Sequence, residues 1–121
     1  MILKIDHLQI AAPKGCEEAA RQFYGEILGM RELEKPETLR GRGGCWFQCG
    51  EQQLHVGVEA EFRAAKKAHP AFAVDDLDEL RLRLAARGAN ITEDDALPNV
   101  RRFYAADPWG NRLEFLEAQV D

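Results

Sequence analysis

Four side chains in this 121-residue sequence carry donor chemistry suited to a divalent cation: His7, His55 and His69, its only three histidines, and Glu114. Imidazole nitrogens mixed with a carboxylate suit Zn(II), Ni(II), Co(II), Fe(II) or Mn(II), and residue types alone do not choose among them. Each of the four sits in a run that reads as a strand. Before Glu114, Asp107-Pro-Trp-Gly-Asn is turn chemistry: Pro108 presets φ, Gly110 or Asn111 can take φ > 0, and Asp107 can bond its own backbone. The following run alternates. Leu113, Phe115 and the stem of Glu117 share one face, and Arg112, Glu114 and Leu116 the other.

The rest of the chain must position these donors. Residues 2–12 alternate as a strand, with His7 and Gln9 on one face, and Pro13 ends it. Residues 16–28 carry Ala19, Ala20, Phe23, Ile27 and Leu28 near a helical period, with Gly29 placed to stop the helix. A short strand over 30–35, a loop over 36–44 and an aromatic strand over 44–49 follow. Gly50-Glu51 turns that strand into a partner over 52–58 that carries His55. Residues 59–67 are polar, break the alternation and read as a connector. The order then repeats: strand 69–74, a helix capped by Asp75 or Asp76 and ended by Gly88, strand 90–92, an acidic loop, strand 100–106, and the final strand.

Strand-helix-strand-strand-strand thus occurs twice, which makes an α+β chain of two βαβββ modules in tandem: 1–58, the connector 59–67, and 68–121, within one domain. Each module would be a curved mixed sheet with an outer helix. His7 and His69, 62 residues apart, fall in the first strand of each copy; His55 and Glu114, 59 apart, fall in the last. Two copies facing each other about a pseudo-twofold would place all four donors around one metal-binding cup. Alternation also puts either Trp46 or Phe47, and either Arg101 or Arg102, on the cup side. We take Arg102 as an anion-binding candidate, with Tyr104, Gln9, Trp46 and Phe47 as further substrate contacts.

Composition removes other functions. Acidic residues outnumber basic ones 21 to 16, a formal charge of −5, which argues against nucleic acid as a partner. No apolar run reaches the length of a membrane span, and the first residues lack a signal peptide's basic start and long apolar stretch, so the expectation is a cytoplasmic protein that does not engage membranes. Cys16, Cys45 and Cys49 show no metal-type spacing and are expected to be free thiols.

The chain resembles the vicinal oxygen chelate superfamily, which includes glyoxalase I, extradiol dioxygenases, fosfomycin-resistance proteins and bleomycin-binding proteins. The resemblance spans Asp6-His7 to Glu114 and rests on Phe23-Tyr-Gly-Glu-Ile-Leu-Gly29, Gln53-Leu-His55, His69-Pro-Ala-Phe-Ala-Val-Asp-Asp-Leu, and Asp107-Pro-Trp-Gly110-Asn-Arg-Leu-Glu114. Carried over residue by residue, it implies metal ligation by His7, His55, His69 and Glu114. His55 departs from the pattern, since glyoxalase I often has a glutamate there. It is open as a fourth ligand, a substrate-facing acid or base, or a support for a ligand. The resemblance implies a metal-dependent enzyme of isomerase or lyase type, in which the cation stabilises an enolate or alkoxide of a small oxygen-chelating substrate. Glu114 or His55 would move the proton. The alternatives are an extradiol-type dioxygenase and a metal-free bleomycin-resistance-like binder. The family usually forms homodimers, so a homodimer is expected.

Overall fold

The structure, a computed structural model, describes residues 1–119. The chain divides into two compact units, Met1–Ala64 and Ala65 onward. Each has the order βαβββ around its own four-stranded mixed sheet, so the fold is two such modules in tandem.

In the first unit, β1 (His7–Ala12) runs parallel to β4 (Gln52–Val58), and β4, β3 (Cys45–Cys49) and β2 (Arg31–Leu33) follow as antiparallel neighbours. The expected strand over 2–12 begins only at His7. Its partner β4 starts at Gln52, and His7 pairs with Gln53, so residues before Asp6 have no β4 residue to pair with. A backbone bond from Gln53 to Asp6 closes the ladder at 3.3 Å. The helix α1 begins as an α-helix at Glu17–Ala20 and widens into a π-helix at Arg21–Ile27, where the Leu28 N–H reaches back five residues to Phe23. It buries Ala20, Phe23, Tyr24 and Ile27, and Tyr24 lies 6.1 Å from Phe47 between ring centres. Residues expected as loop before β3 contain a 3₁₀ helix, Glu37–Arg42.

In the second unit, β5 (Ala71–Val74) runs parallel to β8 (Arg112–Glu117), with β7 (Arg102–Ala106) and β6 (Ile91–Glu93) antiparallel beyond it. The helix α2 (Leu77–Ala86) buries Leu77, Leu80 and Leu84 at helical spacing. Asp76 caps it by accepting from the Glu79 N–H at 3.0 Å, and Asp78 and Glu79 suit the positive end of its dipole. Gly29 and Gly88 follow the two helices at φ +77° and +76°, the left-handed conformation that ends a helix at little cost in glycine.

The turn before β8 is held by side chains. Asp107 Oδ1 accepts from the backbone of Trp109 and Asn111 at 3.0 and 2.9 Å, and Oδ2 accepts from Asn111 Nδ2 at 2.9 Å. Asn111 in turn accepts from the Ala65 N–H at 2.9 Å, and Ala65 accepts from Arg112. This bracket fixes where β8, and with it Glu114, begins.

Candidate functional site

Sheet register decides which side chains share a face. In the first unit His55 lies beside Gln9 in β1 and Trp46 in β3, so the face opposite α1 carries His7, Gln9, Trp46 and His55. The His55 ring stacks on Trp46, 4.0 Å between centres and 4° from parallel, and on His7, 4.2 Å and 16°. His7 Nδ1 donates to Asp6 Oδ2 at 2.9 Å, and this bond holds the Asp6 carboxyl below its usual pKa. His55 Nε2 faces Gln53 Oε1 at 2.9 Å. Burial lowers the His55 pKa, and the neighbouring His7 charge lowers it further, so the neutral imidazole is favoured there. The Gln9 side chain lies over Gly57, where a Cβ would come within 2.7 Å of its amide.

Phe47 is a correction. It was expected beside Trp46 as a substrate contact, but period-two alternation turns it to the helix side, where it is fully buried near Tyr24. Of the two, only Trp46 lies on the His55 face.

In the second unit Glu114 lies beside Ala71 in β5 and Tyr104 in β7. His69 stands two residues before Ala71, just ahead of the strand, because β5 starts after Pro70, whose ring removes a ladder donor. Its Nδ1–H donates to the Lys67 carbonyl at 2.9 Å, and its Nε2 meets Glu114 Oε1 at 3.0 Å. Arg102 reaches Glu114 Oε2 at 3.4 Å, the Tyr104 hydroxyl at 3.0 Å and Asp94 at 3.1 Å. Arg101 turns away and pairs with Asp78 and Glu117. His69 meets Tyr104 edge-to-face at 5.5 Å.

The two groups match in register, each within its own unit. His55 sits beside the residue two beyond His7, and Glu114 beside the residue two beyond His69. Trp46 and Tyr104 occupy the same place on the neighbouring strand. Among the described residues no three His, Cys, Asp or Glu side chains are grouped as a metal's ligands would be, and the four donors stand as two pairs, one in each unit.

Of the two pairs, His69 and Glu114 have donor atoms at a separation that one cation could span, whereas the His7 and His55 rings lie stacked and near parallel. Bonds of about 2.0–2.2 Å to one cation put two donor atoms about 3.0–3.5 Å apart, a range that includes the 3.0 Å between His69 Nε2 and Glu114 Oε1. Ligating histidines characteristically donate their other ring N–H to a carboxylate or carbonyl, as His7 and His69 do through Nδ1. Thiolate chemistry is disfavoured: Cys16 and Cys45 are buried and Cys49 half-buried, and burial raises all three thiols, Cys45 to about 11.

The sequence left out four partners. Asp94, expected in a solvated acidic loop, pairs with Arg102, and no periodic signal marks it. Asp6 and Gln53 orient His7 and His55 from adjacent or next-but-one positions. Arg112, whose guanidinium lies 3.9 Å over the Tyr104 ring, shares Glu114's face by simple alternation, and that signal was available.

Residues 4–115 match the family model of the glyoxalase/bleomycin resistance protein/dioxygenase superfamily, and the chain belongs to that superfamily. A Bacillus anthracis protein of the glyoxalase family is 55% identical, with 98% of each chain covered and a TM-score of 0.92. A lactoylglutathione lyase from Agrobacterium tumefaciens shares the fold at 24% identity over 95% of this chain and 93% of its own, TM-score 0.71. A fosfomycin resistance protein from Listeria monocytogenes shares it at 17% identity over 99% and 97%, TM-score 0.77. Comparison with curated proteins finds no match. Among the described residues no helix is long and apolar enough to cross a membrane.

Proposed function

We propose that this chain is a glyoxalase-type, divalent-metal-dependent enzyme, an isomerase or lyase acting on a small oxygen-chelating molecule, and that it works in the cytoplasm as a homodimer. His7, His55, His69 and Glu114 would hold the metal. The observation that carries this reading is the matched pair of half-sites, stacked His7 and His55 in one module and hydrogen-bonded His69 and Glu114 in the other, in the same register of the same topology.

When bound, the cation supplies Lewis-acid polarisation of two neighbouring substrate oxygens. The remaining work falls to the chain. Glu114 is the proton carrier: its Oε1 is held by His69 and its Oε2 by Arg102, so either contact can loosen while the other keeps the carboxylate aimed. Arg102 and Tyr104 form a polar edge suited to a negatively charged oxygen. Trp46 and Gln9 border the His55 side with one planar and one amide surface. His55, favoured neutral, can keep a lone pair available at neutral pH.

Elemental analysis of protein purified without an affinity tag tests the reading. We expect stoichiometric divalent metal that is lost in His69→Ala and in Glu114→Ala, with an isomerase or lyase activity lost in parallel. Protein that stays metal-free after incubation with each of the five metals, yet binds an aromatic drug, would make it a binding protein. Oxygen uptake with a catechol would make it a dioxygenase.

A further inference from the structure

We infer that the second module carries an oxyanion-binding subsite beside Tyr104, built by Arg112 and Lys66, which takes a phosphoryl or carboxylate group of a small molecule. The site is a cavity of about 240 Å³ lined by Lys66, Asn90, Thr92, Tyr104, Gly110 and Arg112 among others, and no acidic side chain lines it. Three other arginines of this module are matched by anions: Arg81 pairs with Glu93, Arg101 with Asp78, and Arg102 with Asp94 and Glu114. Among the described residues neither Arg112 nor Lys66 has a carboxylate partner. In a chain of formal charge −5, two cations left uncompensated around one concavity mark a place where negative charge is supplied from outside.

The geometry adds direction. The Arg112 guanidinium lies 3.9 Å over the face of the Tyr104 ring. That stacking holds its plane and leaves its N–H edges free to fork onto an oxyanion. Thr92 supplies a hydroxyl and Asn90 an amide on the cavity's β6 side, and neither carries charge. Arg112 and Glu114 lie on one face of β8, two residues and so about 7 Å apart along the strand.

The site's existence does not depend on the metal reading, but its meaning for the substrate does. If Glu114 ligates a metal, the substrate carries its anionic group within a few bonds of its chelating oxygens, a small anionic metabolite in place of a neutral one.

The test uses the full chain treated with chelator, titrated separately with inorganic phosphate and with acetate and followed by backbone amide NMR. We expect saturable shifts at Thr92, Ala106, Gly110 and Arg112, at least ten-fold weaker binding in Arg112→Met, and weaker binding in Lys66→Met, an exposed position that leaves folding untouched. The anion that binds more tightly identifies the group. His69→Ala should leave anion binding unchanged, which separates this inference from the metal assignment. Absence of saturable shifts with both anions, or binding indifferent to both Arg112→Met and Lys66→Met, would overturn it.

Discussion

Removing the buried Asp107 carboxylate is expected to loosen the second module strongly. In Asp107→Ala three hydrogen bonds disappear, two from backbone N–H groups and one from the Asn111 amide, all between 2.9 and 3.0 Å. Asp107 is 5% exposed and Asn111 2%, so water has little access to replace the lost bonds. Bonds to a charged acceptor contribute about 1.5–3 kcal/mol each, and a stranded buried donor costs about 1–3 kcal/mol. Trp109 is only half-buried, and water can recover part of its share. The two bonds to Asn111 alone set the expected loss at about 3–6 kcal/mol, a large part of the roughly 5–15 kcal/mol that holds a typical domain. Urea unfolding reads it directly, with Trp109 as the sole reporter in a Trp46→Phe background. With a slope of about 2 kcal/mol/M the midpoint falls by about 2 M. Asp107→Asn, which keeps an oxygen at Oδ1, should recover more than half. A midpoint shift below about 0.3 M in Asp107→Ala would refute the reasoning, because the bracket would then have no part in setting the start of β8.

Three further outcomes follow from the described geometry. In native protein at pH 8, Cys45 should react with iodoacetamide about a hundred-fold more slowly than an ordinary thiol, since a rise from 9.0 to about 11 leaves about a hundredth of the thiolate; equal rates measured by mass spectrometry would contradict it. His55 titrates lower in the folded metal-free chain than its ordinary 6.5, so the unfolded chain binds the extra proton first; its contribution to stability is present above that value and is lost as pH falls through the folded one. Unfolding midpoints between pH 7.5 and 5 should therefore fall less steeply in His55→Gln than in the native chain, and identical slopes would rule the effect out. Gly57→Ala places a Cβ 2.7 Å from the end of a flexible Gln9 side chain, so Gln9 should swing aside at a cost under about 1 kcal/mol. A crystal structure of the variant with Gln9 unmoved, or a much larger loss of stability, would count against that.

Much of this was legible in the sequence because period-two and period-3.6 patterns survive in the chain. The repeat emerged from strand order, and the helix stops at Gly29 and Gly88 were visible as punctuation. Pairing, by contrast, is not written locally. The first strand loses residues 2–5 because β4 offers them no partner, which no property of Ile2 or Leu3 reveals. Phe47 and Trp46 are adjacent aromatics, and only the register with His55 tells which one leaves the core. The π-helical widening of α1 has no marker among Arg21 to Ile27. Among the site residues, the donors were recognisable by type and by their repeat-equivalent places, whereas Asp94 and Gln53, which act by reaching across to Arg102 and His55, were not.

The proposal that two matched half-sites serve one cation is tested most directly by X-ray absorption on the full chain reconstituted with a single equivalent of Co(II). The account predicts a first coordination sphere of nitrogen and oxygen only, multiple scattering from three imidazoles, and the loss of one imidazole contribution in each of His7→Ala, His55→Ala and His69→Ala. Sulfur in that sphere, or a spectrum that none of the three substitutions changes, would contradict it.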